Sequence, residues 1–198
     1  LLPFNALKIP FFGAALAEPI SDVIAAQERM VHILKAYPSA RRKAIIGPKR
    51  AGITLIIGAG PMGLMHIEVA MSYKPSKIIV SEIIAQRRDR AKELFSEKAR
   101  RMGIRMVFTH PNELEKMIKE KTAGKGVDDA IVALGIAKIQ EESLRYLAQG
   151  GVACFFGGTK FQERMIQIDT HRIHYDGVTA VGSSGSDPSD VARVLDMM

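Results

Sequence analysis

The chain has no tryptophan, one cysteine, and only 6% aromatic residues among its 198. A single cysteine excludes an internal disulfide and any zinc centre made of several thiolates. That residue, Cys154, sits in the apolar run VACFF, which reads as a buried, inert thiol rather than a nucleophile. No apolar run approaches the roughly 18 residues needed to cross a bilayer, so no membrane partner is expected. The first residues, LLPFNALKIPFFGAALAEP, lack the basic start and small-residue cleavage site of a secretory signal, and a cytoplasmic setting is the default expectation. The start is not methionine, which suggests a piece of a longer chain. The scarcity of aromatics also bears on the net charge of +7. Much of that excess falls in one stretch, at Arg87, Arg88, Arg90, Lys92, Lys98, Arg100, Arg101 and Arg105. Base-stacking platforms are few and no recognition motif accompanies the charge. A solvated basic helix is therefore expected, and nucleic acid is not expected as a partner.

What the chain does contain is organised around residues 53–82. Ile53–Ile57 is β-branched and apolar, as a strand buried on both faces should be. Gly58-Ala59-Gly60-Pro61-Met62-Gly63 follows, a GxGxxG placed after a strand and opening a helix. Gly58 permits the tight turn, Gly60 lets backbone N–H groups approach a pyrophosphate, and Gly63 lets the helix pack on the strand. Pro61 suits the first helical turn, where its missing N–H is no loss. Met62 lies in the same turn, whose helix N-terminus supplies partial positive charge to phosphates. The next strand, Lys77–Ser81, ends in Glu82, about twenty residues beyond the last glycine, where a carboxylate accepts ribose hydroxyls. The stretch predicts a dinucleotide site.

Around it, strands and helices alternate. A helix is expected over residues 20–37, with Ile20, Val23, Ile24, Gln27, Met30, Val31 and Leu34 on one face. Residues 38–52 read as a basic loop, whose charges are more readily explained by solvation than by a bound substrate phosphate. Beyond Glu82, helices are expected over 86–102, 112–121 (with Asn112 as N-cap) and 139–148, and from Asp187 onward. Strands are expected over 104–109, 127–134, 152–156 and 178–182, with turns at Gly150-Gly151 and Gly157-Gly158. This pattern predicts an α/β domain with a doubly wound, six-stranded parallel sheet, the Rossmann fold. Ligands of such sheets lie beyond the carboxyl ends of the strands. One crevice should then hold the glycine turn, Glu82, Leu134-Gly135, Gly157-Gly158 and Ser183-Ser184, with a nicotinamide near Leu134 and Ser183. His171 and His174 lack a third partner for a metal, and His32, His66 and His110 read as helix or loop residues.

The order AEP, helix, IIGAGPMG, acid-terminated strand and VDDAIVALG…LAQGGVACFFGG resembles the coenzyme domain of medium-chain, zinc-dependent alcohol and polyol dehydrogenases. The insertion after the AEP helix and the tail RIHYDGVTAVGSSGSDPSDVARVLDMM are most similar to the branch containing sorbose-1-phosphate reductases. The resemblance implies hydride transfer between an alcohol carbon and the nicotinamide, with a zinc polarising the oxygen. It implies a small sugar alcohol or sugar phosphate as substrate, and pairing into a homodimer or homotetramer through an edge strand, here 178–182. It places Glu18, of the EP pair, at the zinc, and Arg87, five residues past Glu82, against the adenine. It also makes residues 1–17 the remnant of a preceding barrel-like catalytic domain and 18–198 the coenzyme domain. The family's other zinc ligands belong to that preceding domain, so this chain alone is expected to be inactive. Glu82 favours NAD by repelling a 2′-phosphate, while Arg87 and Arg88 keep NADP open as the alternative. A non-catalytic NAD(H)-binding or assembly module is the competing reading.

Overall fold

The structure, a computed structural model, describes residues 11–35 and 37–197. A short helical turn α1 (Phe11–Ala14) leads into α2 (Ala17–Glu28), and β1 (Val31–Leu34) then pairs antiparallel with β2 (Lys43–Ile46). The alternating part runs β3 (Ile53–Ile57), α3 (Pro61–Ser72), β4 (Lys77–Ser81), α4 (Ala85–Arg101), β5 (Arg105–Thr109), α5 (Leu114–Lys121), β6 (Val127–Val132), α6 (Ala137–Arg145), β7 (Leu147–Phe155), β8 (Thr179–Gly182) and α7 (Pro188–Met197). Strands β3 to β8 form one parallel sheet in the order β5-β4-β3-β6-β7-β8. The chain winds outward from β3 to one edge and returns to its other side at β6. The switch point is therefore the crevice between β3 and β6. This is the doubly wound six-stranded sheet the alternation predicts. No helix among the described residues is long and apolar enough to cross a membrane.

Successive strand residues face opposite sides of the sheet, and both sides are covered. Ile56, Ile78, Val80, Ile131 and Cys154 pack with Ile67, Ala70 and Met71 of α3 and Ala91, Phe95 and Ala99 of α4. Leu55, Ile57, Ile79, Ala130 and Val132 belong to the opposite cluster, with Leu114 and Ile118 of α5 and Ile139 and Leu144 of α6. Burial on two faces is why these strands read as unbroken apolar runs. Each large aliphatic side chain buried this way contributes about 1.5–3 kcal/mol relative to exposure. The loops at the strand ends are therefore carried on a rigid base.

Several elements differ from expectation. The helix over 20–37 stops at Glu28, and Val31 to Leu34 become a strand of a hairpin that occupies part of the expected loop. The cause is His32, expected in a helix or loop but found as the one buried residue of β1. Its Nε2 lies 2.7 Å from Asp129 Oδ1, on the sheet's central strand β6. Asp129 Oδ2 accepts the Lys49 amide at 2.9 Å and the Thr54 hydroxyl at 3.3 Å. Burial pushes the Asp129 carboxyl up from its ordinary value, against the lowering effect of the His32 hydrogen bond. Asp128 beside it accepts the Ile53 amide at 2.8 Å and the Lys49 ammonium at 2.6 Å. Two aspartates thus tie the hairpin and the approach to β3 onto β6.

Asn112 is not the cap of α5. It lies in a 3₁₀ turn, Pro111–Glu113, and donates its amide to His110 Nδ1 at 3.2 Å, with α5 starting at Leu114. Gly150 and Gly151 are not a turn leading into the strand either. They lie within β7, which begins at Leu147, opposite a register shift between Val127 and Asp129. Asp187 immediately precedes α7, and its amide is accepted by the Asp190 carboxylate at 3.0 Å, half of a reciprocal cap. Of the residues expected to be the remnant of a preceding domain, 1–10 lie outside the described residues.

Cys154 is buried in β7, its Sγ–H directed at the Ala26 carbonyl oxygen 3.5 Å away, and burial pushes the thiol up to about 12. Only the thiolate alkylates readily. Iodoacetamide at pH 8 is expected to leave the folded chain unmodified and to modify it in denaturant. Labelling of the folded chain at the rate of a free thiol would contradict this burial.

Candidate functional site

The residues singled out around the glycine turn converge at the carboxyl ends of β3, β4, β6 and β7. Gly58 has a φ of +99°, which glycine alone adopts at little cost, and a side chain there would meet Leu134 at 3.1 Å. A Cβ on Gly63 would overlap the carbonyl oxygen of Gly58 well inside van der Waals contact, so helix and strand meet backbone to backbone. Gly60 is the N-cap of α3 and Pro61 its first residue. Around Gly60 the space is open: a Cβ would find only Arg87 Nη1, at 3.8 Å. Met62 is half-buried in the cluster that joins α2, α3 and α7. On the other side of the switch point, a Cβ on Gly135 would overlap the Gly158 carbonyl oxygen, and one on Gly157 would overlap the Leu134 carbonyl carbon. The two loops after β6 and β7 are therefore in backbone contact.

Glu82 is buried, and its carboxylate is drawn beneath the glycine turn. Oε2 accepts the Ala59 amide at 2.7 Å, and Oε1 accepts the Ile84 amide at 2.8 Å. Its position was legible in the sequence, but these two bonds were not. Arg88 donates to the Glu82 carbonyl oxygen at 2.8 Å, and Arg87 alone is left facing the turn. The amides of Gly60, Met62 and Gly63 have no acceptor among the described residues, since the first turn of a helix has none of its own and Pro61 has no N–H. Open space, orphan donors and a helix N-terminus fit a diphosphate.

Two predicted residues sit on other elements. Ser183 follows the edge strand β8, and the loop it opens reaches α2 through Ser186, whose hydroxyl is 2.7 Å from that of Ser21. Glu18, in the first turn of α2, is exposed and lines an open cleft with Asp22, Gly185, Ser186 and Asp187. Among the described residues no three His, Cys, Asp or Glu side chains are placed to hold a metal, so they do not make a zinc centre. His171 and His174 instead both pack on Tyr175, at 4.4 and 4.6 Å between ring centroids. A separate cavity of about 450 Å³, between α6, residues 167–173 and β8, shares no residue with the glycine turn.

The strand order, the glycine turn and the acid beneath it define a Rossmann coenzyme-binding domain. Residues 61–198 match the zinc-binding dehydrogenase family, and the chain belongs to that family, as the coenzyme-binding part of a medium-chain zinc dehydrogenase. L-sorbose 1-phosphate reductase of Klebsiella pneumoniae is 25% identical over 191 residues, covering 95% of this chain and 45% of that protein. (R,R)-butanediol dehydrogenase of Neisseria gonorrhoeae is 31% identical over 134 residues, 67% of this chain and 31% of that one. The chain thus spans less than half the length of these curated relatives. A zinc-binding dehydrogenase of Sinorhizobium meliloti 1021, solved bound to NADP, superposes with a TM-score of 0.72 at 19% identity. That superposition covers 93% of this chain and 47% of that one, and is a likeness of fold.

Proposed function

We propose that this chain is the nicotinamide-nucleotide-binding part of a zinc-dependent oxidoreductase that interconverts an alcohol and a carbonyl on a sugar alcohol or sugar phosphate. The observation that carries the reading is the glycine turn, with three orphan amides above and the Glu82 carboxylate below. The diphosphate rests on the amides of Gly60, Met62 and Gly63, in the first turn that Pro61 shapes. Glu82 accepts from the adenosine ribose, and Leu134, Gly135 and Ser183 border the nicotinamide. Bound there, the coenzyme supplies or takes the hydride, and this chain's residues orient it. Glu18 faces the zinc of the whole enzyme, and no step of the reaction is assigned to the residues of this chain. Residues 18–198 form the coenzyme domain, and 1–17 the end of a catalytic domain before it. Edge strand β8 is the candidate seam of a homodimer or homotetramer, its outer backbone groups being open to pairing. The sugar-phosphate substrate is supported by the name of the Klebsiella relative.

NAD is the proposed coenzyme, because a carboxylate beside the ribose repels a 2′-phosphate; the NADP-bound neighbour supports the alternative. Titration of the chain with NADH and NADPH tests the reading, and its loss in a folded sample would end it. Glu82→Ala also strips two amides of their acceptor, each at a cost of about 1–3 kcal/mol, so both affinities should fall. The informative quantity is their ratio, expected to move toward NADPH by about tenfold or more. An unchanged ratio would leave the NAD assignment without support.

A further inference from the structure

Arginines 87 and 88 stand in the first turn of α4, which has no acidic residue. Cations there oppose the helix dipole, so the arrangement runs against the fold's local preference. Arg88 is accounted for by the Glu82 carbonyl oxygen, and Arg90, one turn on, by Glu93 at 2.8 Å. No such bond holds Arg87 among the described residues. Its Nη1 instead lies 3.8 Å from the position a Gly60 Cβ would take, over the open side of the glycine turn. The turn itself is short of donors. Ala59 is committed to Glu82, Gly58 to the Ser81 carbonyl oxygen and Leu64 to Gly60, while Pro61 has none. A bound diphosphate would set two phosphoryl groups, each with its own negative charge, against the remaining amides and the roughly half positive charge of the α3 terminus. The base has another surface available, since Ile83 and Ile84 are exposed directly after Glu82.

We infer that Arg87 is a diphosphate-binding arm, whose guanidinium pairs with the coenzyme's phosphoryl oxygens above Gly60 rather than with the adenine face or a 2′-phosphate. The inference rests on the coenzyme reading above and changes the part the arginine plays in it. A bidentate guanidinium supplies the charge and the donors that Pro61 and Glu82 withhold from the turn.

The test is titration of wild type, Arg87→Gln and Arg87→Lys with NADH and with NADPH. Arg87→Gln should weaken both dinucleotides by the same factor, about tenfold or more, as expected for loss of charged hydrogen bonds. Arg87→Lys should regain about threefold or more of that loss for both, because an ammonium still pairs with phosphate as a point charge. Loss confined to NADPH would assign the side chain to the 2′-phosphate and overturn the inference. Equal loss that lysine does not restore would assign it to stacking on the base and overturn it too, as would no loss. If folded wild type binds neither dinucleotide, the coenzyme reading itself has failed, an outcome distinct from all of these.

Discussion

Gly63→Ala is expected to destabilise the chain by about 3 kcal/mol and to abolish measurable nucleotide binding. A Cβ at this position overlaps the Gly58 carbonyl oxygen and comes within 2.8 Å of its carbonyl carbon. Both atoms are backbone, so no side chain can swing aside. The helix must lift off β3, and the sheet beneath is buried on both faces and has little freedom to follow. Lifting α3 also carries the Met62 and Gly63 amides away from the proposed phosphate position. Gly60→Ala provides the contrast. Gly60 has an ordinary φ of −68° and a Cβ there meets only Arg87 Nη1 at 3.8 Å, so the fold should be unaffected. The added methyl nevertheless stands where the proposed diphosphate would approach. Denaturant melts and NADH titrations on the two variants should therefore separate: stability and binding both lost for Gly63, binding alone weakened for Gly60. A wild-type midpoint for Gly63→Ala would show that the helix does not pack on the turn as described.

The same contacts explain which parts of the molecule could be read from the residues. The core sheet was legible because a strand buried on two faces must be apolar throughout, as Ile53–Ile57 and Lys77–Ser81 nearly are. The glycine turn was legible because its three glycines stand at fixed spacing, two of them under separate steric demands, the positive φ of Gly58 and the helix-to-strand contact of Gly63. The hairpin was not, and its inside and outside are the reverse of a hydrophobic pattern. Val31, Ile33 and Leu34 are exposed while His32 is buried. Met30, Val31 and Leu34 fall at helical spacing, and no periodicity argument separates that accident from an amphipathic helix. A signal for the true arrangement did exist, in Asp128-Asp129 at the start of an apolar strand. A carboxylate buried there requires partners, and a histidine in an otherwise apolar run is a natural one. Nothing local, however, pairs position 32 with position 129. Glu82 shows the same limit: its place at the end of β4 follows from spacing, while its bonds to Ala59 and Ile84 depend on how the folded turn closes.

Lowering the pH from 6.5 is expected to destabilise the wild-type chain relative to His66→Phe by about 1.4 kcal/mol per pH unit, some 2 kcal/mol by pH 5. His66 lies on α3, one turn beyond Gly63, and is fully buried against the edge of Phe156, with ring centroids 4.5 Å apart. Gln27 Nε2 approaches its Nδ1 at 3.2 Å and donates to its backbone carbonyl at 3.0 Å. Its Nε2 has no partner among the described residues. With no anion to compensate, burial depresses the imidazole from 6.5 to about 3. The unfolded chain therefore takes up a proton below pH 6.5 that the folded chain refuses until about pH 3. Stability from this group is complete above 6.5 and drains away as the pH falls through that window. Asp129 works in the opposite sense, because its carboxyl is raised by burial. Its contribution is greatest in acid and declines as the pH rises through its folded value, opposite in sign to the histidine's. Subtracting the His66→Phe curve removes it, since His32, Asp129 and their partners are common to both proteins. Phenylalanine keeps the aromatic packing against Phe156 and leaves Gln27 its backbone acceptor, so the variant should fold. Urea melts of the two proteins at half-unit steps from pH 7 to pH 5 measure the difference directly, and parallel curves would mean that His66 is charged or solvated in the native state.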